Sequence, residues 1–345
     1  MKIANRRRTG FTLIELLVAA ALSILIMAIM ATAFQTGLGT LSTLKSLGDM
    51  AERSKTAETM LRADLEAEHF ASVGGGDSPA PMRVSDVRYE STPPSTPPTG
   101  GYFQIFQSQP SVTEGNDADG MPSSRAGAGE NHRLSMTVKR NGRTPEQLFT
   151  SDLSQLTNPT EAATVRSQSV SDSSAGNIYV SYWAQVDWFL DGSRPSTIDG
   201  VQTWPLVRRV RGVGQLPTPL TSAQDTLSVT PAGQFSTMQT LAVPATRSST
   251  GANAAAIQNA SAKVGDDIVI TNVLSFEVRA LYSGMAPINP DPLFADLPGG
   301  PNAQYDTGLG ANGTNRIRVV GVQVKIRVYD TKNKLTRQLT VVSRL

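Results

Sequence analysis

Few side chains in this sequence stand where chemistry could use them. Cysteine is absent, so a disulfide framework, a thiol nucleophile, an iron–sulfur cluster and a cysteine zinc site are all closed to the chain. Two histidines, His69 and His132, are too few for a histidine-rich metal centre. Neither belongs to an HExxH, and neither a GxSxG elbow nor a GxxxxGK(S/T) phosphate loop occurs. His69, at an expected helix end, reads as a cap or surface group rather than a base. Asn116-Asp117-Ala118-Asp119-Gly120 invites a calcium reading, but with Gly120 at loop position six the first acid falls on Gly115 and the last on Ala126. A solvated polar loop fits better. Asp291, Asp296 and Asp306 lie in a Pro/Gly/Asn-rich stretch that could offer oxygens to calcium. No cofactor is expected, with calcium the one left open. Trp183 and Trp188 share an expected strand, and their odd separation sends one to the core and the other to a surface or interface.

The most consistent spacing is at the start of the chain. Lys2, Arg6, Arg7 and Arg8 precede Gly10-Phe11-Thr12-Leu13-Ile14-Glu15, and after Glu15 the next charge is Lys45. Residues 11–34 would make a helix of about 36 Å, enough for a hydrocarbon core of roughly 30 Å. Cations before the span and none just after it put the N-terminus in the cytoplasm and everything past Phe34 outside it. A carboxylate at the start of such a span costs about 2–3 kcal/mol at mid-bilayer, less near the interface, and usually marks function.

Arg8-Thr9-Gly10-Phe11-Thr12-Leu13-Ile14-Glu15 resembles the type IV prepilin signal. The resemblance implies that a prepilin peptidase cuts between Gly10 and Phe11 on the cytoplasmic side and methylates the new amino group of Phe11. Glu15, fifth in the cut chain, would then be an assembly contact, pairing with the Phe11 amino group of a neighbouring subunit in a filament. The alternative is an ordinary signal peptide cut near Ala33, within Ala31-Thr32-Ala33, releasing or anchoring a binding protein or hydrolase. A mature chain starting at Phe11 with one methyl, or at Phe34 without, separates the two. Many major pilins carry a proline in this helix; here none occurs between residues 1 and 78.

Beyond the span, Leu38, Leu41, Leu44, Leu47, Met50 or Ala51, Ala57, Leu61 and Leu65 recur at spacings near three and four, with Glu52, Arg53, Lys55, Glu58, Arg62, Asp64 and Glu66 on the other faces. The expectation is one helix from Phe11 to about Phe70, stopped by Gly74-Gly75-Gly76, its second half laid on a globular domain. Residues 71–101 read as Pro/Ser-rich linker. Strands are expected at residues 102–107, 133–138, 178–190, 205–210, 226–229, 267–270, 274–282, 316–329 and 335–342, with the last two closed into a hairpin at residues 330–334. In the penultimate strand Val322, Val324, Ile326 and Val328 alternate with Gln323, Lys325 and Arg327, predicting one buried and one wet face. Residues 108–131, 212–263 and 283–315 read as long loops.

The fold class that follows is α+β: a long N-terminal helix, transmembrane in its first half, packed on an antiparallel β-sheet domain, which is the pilin-like order. Residues 1–10 would be a cleaved cytoplasmic leader, 11–70 the helix with 11–34 transmembrane, and 71–345 a periplasmic β-rich domain. Composition agrees: of 345 residues 39% are hydrophobic and only 17% charged, and Gly 29 with Pro 21 dilutes the core with loop. The net charge of +2 misleads, because past the leader 27 basic groups face 29 acidic ones, too few to bind nucleic acid through phosphates. Within the prepilin resemblance, the length argues against a major subunit. Residues 57–66 look like minor pseudopilins of the J type in type II secretion and like W-type minor pilins of type IV pili, and residues 316–339 add weight to the J type. The resemblance implies an inner-membrane subunit assembling with other pilin or pseudopilin subunits, a substrate of an enzyme and not itself one.

Overall fold

The computed structural model describes residues 12–71, 83–108, 112–116, 122–125, 132–154, 156–170, 177–215, 220, 226–247, 266–283, 294–299, 302–311 and 316–345. The chain divides into two compact units, Met1–Glu52 and Arg53–Leu345.

In the first unit the only described element is helix α1 (Leu13–Leu65), 53 residues long, which continues into the second. An Ala-rich, proline-free sequence favours it. Gly37, Gly39 and Gly48 do not interrupt it. Its hydroxyls turn inward on their own backbone: Ser23 donates to the Ala19 carbonyl, Thr36 to Thr32, Thr40 to Thr36 and Thr43 to Gly39, at 2.8–3.1 Å. These bonds leave no hydroxyl donor to be desolvated alone. α1 is long and apolar enough to cross a membrane. Leu13, Ile24, Met30 and Phe34 are all exposed.

The helix differs from the expectation in two ways. It ends at Leu65 and not near Phe70. There the chain turns so that His69 and Phe70 enter the core, with His69 placing a ring nitrogen by the Leu65 carbonyl. The glycine triplet expected to stop it lies outside the described residues. The apolar stripe is also shorter in use. Leu38, Leu41 and Leu44 are exposed, and burial begins at Ala57, followed by Leu61, Asp64 and Leu65.

The second unit is built on an antiparallel sheet. Its strands are β1 (Phe103–Phe106), β4 (Arg133–Lys139), β7 (Trp183–Leu190), β9 (Val201–Gly212), β10 (Asp266–Tyr282), β11 (Gln304–Asp306), β12 (Val319–Asp330) and β13 (Leu335–Arg344), in the order β11-β1-β4-β7-β9-β10-β12-β13. A short β8 (Ser196–Ile198) pairs with β9. Two pairs stand apart: β2 (Val112–Asn116) with β3 (Pro122–Arg125), and β5 (Phe149–Asp152) with β6 (Ile178–Ser181). Helices α2 (Pro159–Ser167) and α3 (Met238–Ala242) and three short 3-10 helices, Val84–Asp86, Pro145–Gln147 and Pro244–Thr246, complete the described elements. The architecture is α+β, a long apolar helix followed by an antiparallel sheet.

Several boundaries move for local reasons. The expected strand 178–190 breaks at Tyr182: the Ser181 hydroxyl accepts the Trp183 N–H and donates to the Val213 carbonyl, so β6 and β7 join different sheets. The expected strands 267–270 and 274–282 are one strand, β10, kinked by Asn272 at φ 59° and by shifts in register. Residues 226–229 form isolated bridges and no strand. Helices α2 and α3 and strands β2, β3, β5, β8 and β11 were not expected; β2 and β3 fall in the expected loop 108–131, α3 in 212–263 and β11 in 283–315. The expected linker 71–101 is no linker where it is described: Val84, Val87 and Tyr89 are buried in the core, and the Tyr89 hydroxyl donates to the Thr307 carbonyl. Gly101, at φ +82°, leads this segment into β1; a Cβ there would lie 2.2 Å from the His69 carbonyl.

One sheet face carries Ile105, Leu134, Met136, Val186, Trp188 and Leu206, all fully buried, and the end of α1 packs there. The other face was expected to be wet. It is buried and charged. Arg209 pairs with Asp266 at 2.6 Å, Arg211 with Asp187 at 2.9 Å, and Arg247 with Asp306 at 2.7 Å with both side chains inaccessible. On β12, Lys325 is buried opposite Glu277 of β10. Alternation in the sequence reports which residues share a face. Whether the polar face meets water depends on what lies over it, and here its charges are matched instead of solvated.

Candidate functional site

Gly10 and Phe11, the expected cleavage and methylation residues, lie outside the described residues. The described residues begin at Thr12, and there Glu15 has a specific role. Oε2 of Glu15 accepts the Thr12 N–H and the Thr12 hydroxyl, both at 2.9 Å. The Glu15 N–H in turn lies 3.4 Å from the Thr12 hydroxyl oxygen. Thr12-Leu13-Ile14-Glu15 is a capping box, a Ser/Thr followed three residues later by Glu, which satisfies donors left over at a helix start and sets an acid against the positive end of the helix dipole. The spacing was legible in the sequence and was read only as a lone carboxylate. The Glu15 carboxylate, bonded to Thr12, is four residues along the chain from Phe11, where cleavage after Gly10 would create a positive amino group.

At the other end of α1 the structure assembles a cluster the sequence reading missed. The Asp64 carboxylate accepts from Arg208 Nε at 2.7 Å and Nη2 at 2.8 Å, and from Trp188 Nε1 at 2.8 Å. Asp64 and Arg208 are 5% and 6% exposed at their side chains. The helix end is thereby tied to β7 and β9. Asp64 was placed on a polar face of the helix, yet it follows Ala57 and Leu61 at helical spacing on the buried stripe, and that position was the available signal. Arg62 adds a second tie, donating to the Val342 carbonyl of β13 at 3.0 Å.

The histidines are structural. His69 is 4% exposed, so the surface reading is corrected, while the cap reading holds in part. Its Nδ1 donates to the Thr137 carbonyl at 2.7 Å, its Nε2 faces the Leu65 carbonyl at 3.3 Å, and its ring lies 5.2 Å from that of Phe103. His132 Nδ1 accepts the Val278 N–H at 2.9 Å. Burial pushes both imidazoles below the ordinary 6.5, outweighing the nearby carbonyls and acids that favour the charged form. The native state therefore binds fewer protons than the unfolded one near that pH. The stabilisation is complete above the unfolded value and is lost as pH falls through it. Urea midpoints should thus drop between about pH 7.5 and pH 5, and the drop should shrink when His69→Gln and His132→Gln are combined. An equal drop in the double variant would assign the acid sensitivity to other groups.

The acidic clusters do not come together as a set. Asp306 is committed to Arg247, to Gln104 and to the Gly308 N–H. Asp296 is largely exposed, 3.7 Å from Arg279. Asp291 and residues 117–120 lie outside the described residues. Among the described residues no group of three acids or histidines is arranged to hold a metal ion. Trp188 is fully buried and Trp183 half-buried on the opposite face, where Lys139 lies 5.6 Å from its ring, as the odd separation predicts.

Residues 5–31 match the family described as the prokaryotic N-terminal methylation motif. Motif and long apolar helix together are consistent with a prepilin-like protein, and the motif supports a type IV pilin-like or pseudopilin subunit. It implies processing by a prepilin peptidase and assembly with other pilin subunits. No curated protein and no solved structure matches the chain.

Proposed function

We propose that the chain is a minor pseudopilin of a type II secretion system, a structural filament subunit near the tip, held before assembly in the bacterial inner membrane. Its leader faces the cytoplasm and its β domain the periplasm. It needs no cofactor and performs no catalysis. The observation that carries this reading is the continuity of the methylation motif at residues 5–31 with a helix of 53 residues that ends bolted to a β domain through Asp64. The exposed apolar half of α1 has the length of a bilayer crossing, and Lys2 and Arg6–Arg8 set its direction. The preference for secretion over a pilus rests on the J-type resemblance of residues 57–66 and 316–339. The large unit Arg53–Leu345 supports a minor rather than a major subunit.

The test separates the two roles open to Glu15. Glu15→Gln keeps a capping-box acceptor but removes the charge, whereas Glu15→Ala removes both. If Glu15 pairs with the Phe11 amino group of a neighbour, both variants are processed and inserted normally, and both lose co-precipitation with other filament subunits. An unpaired buried charge costs roughly 3–5 kcal/mol, and a tip position with fewer neighbours makes the loss partial. If the carboxylate only caps its own helix, Glu15→Gln assembles as wild type. Secretion and piliation are scored side by side; loss of pili with secretion intact would move the assignment to a type IV pilus.

A further inference from the structure

β13 closes the sheet on one side, and its outer edge is open. The Leu345 N–H donates to the Val320 carbonyl at 3.1 Å, and β13 pairs with β12 in the register Gly321↔Arg344 through Asp330↔Leu335. In an antiparallel pair this makes the odd-numbered residues of β13 the ones that bond to β12. The N–H and C=O groups of Thr336, Gln338, Thr340, Val342 and Arg344 therefore point away from the sheet. The Val342 carbonyl confirms the phase, because it is the one that Arg62 of α1 reaches. Between that contact and the hairpin, Thr336, Gln338 and Thr340 are exposed and no further strand pairs with them among the described residues.

Natural sheets blunt such edges with prolines, bulges or very short strands. The opposite edge, β11, is short at three residues. β13 is ten residues long, contains no proline or glycine, and keeps an unbroken register with β12. Only charge guards it. Residues 331–345 hold Lys332, Lys334, Arg337 and Arg344 and not one Asp or Glu. Lys334 has Asp199 nearby at 3.5 Å, whereas Arg337 and Arg344 are exposed. Two copies paired edge to edge would bring these cations together, so the edge selects against a second copy of this chain.

We propose that the Thr336–Thr340 edge of β13 accepts an extended, acidic segment of another protein, which adds a strand to the sheet. Main-chain bonds supply the pairing and Arg337, on the edge itself, the preference for acid. The inference stands on the edge alone and does not depend on the filament reading.

The test uses the full chain in a nonionic detergent and a synthetic peptide of alternating valine and glutamate, about nine residues long. Hydrogen exchange at the amides of Thr336, Gln338 and Thr340 should slow on adding it. The same peptide with lysine for glutamate should give no protection. Gln338→Pro removes one outward donor without touching a bond to β12, and it should abolish the protection while leaving the melting temperature near wild type. Should that variant fold poorly, Arg337→Glu leaves the backbone alone and should weaken peptide affinity about tenfold. Absence of protection at saturating peptide would overturn the proposal, as would equal protection by the lysine peptide. Protection that appears without peptide and grows with protein concentration would overturn it in favour of self-pairing.

Discussion

Asp64→Ala should destabilise the β domain more than any other single change at the helix end. The substitution takes the shared acceptor from Arg208 and from the indole of Trp188, both deeply buried. The next acid, Asp267, lies 4.0 Å from the guanidinium and is 61% exposed, too wet and too far to replace it. Breaking a buried pair from one side costs about 3–5 kcal/mol, because the remaining charge has neither water nor partner. For a unit of this size that is a fall of roughly 10 °C in melting temperature. The sign reverses the intuition that salt bridges stabilise: Asp64→Leu combined with Arg208→Met should recover the part of the loss due to the stranded guanidinium, leaving the cost of about 1–3 kcal/mol for the Trp188 indole N–H without its acceptor. Denaturation of wild type, Asp64→Leu, Arg208→Met and the double variant, with Asp64→Ala alongside, measures it. A single variant within about 1 kcal/mol of wild type would show that α1 is not held to the sheet through this carboxylate.

Gly10→Leu should abolish maturation outright. The expected scissile bond joins Gly10 to Phe11, at the membrane face, where the peptidase needs a residue without a side chain. The variant should accumulate as the full-length precursor in the membrane, unmethylated, while insertion continues because Lys2, Arg6, Arg7, Arg8 and the apolar span are unchanged. Filament function should fall to the level of a deletion. Normal removal of the leader from the variant would place the processing site elsewhere.

The parts legible in the sequence are those governed by local physics. The apolar run after Glu15 and the absence of proline specify α1, and period-two patterns of β-branched residues located the central strands, including the β12–β13 hairpin with Asp330 accepting from the Lys332 and Asn333 N–H groups. Boundaries failed where a side chain made a bond that no pattern encodes. Ser181 splits one apolar run between two sheets, and His69 ends the helix five residues early by turning the chain inward. Burial of charge was the least legible feature. Asp64 and Lys325 read as solvent-facing and Asp306 as a loop acid open to calcium, and each is buried because a partner distant in sequence, Arg208, Glu277 or Arg247, lies opposite. At the candidate site, the cleavage signal was visible as a motif, while the capping role of Glu15 was visible only as a spacing, Thr12 to Glu15, that went unread.

The central claim is that Met1–Gly10 is a leader and that α1 stays with the mature protein. The mass of the N-terminal peptide of the protein purified from membranes tests it most directly. The account predicts a peptide that begins at Phe11 and carries one methyl group on its amino nitrogen. An unmodified peptide beginning at Phe34 would contradict it, because the apolar helix would then be a discarded signal and the β domain a released protein.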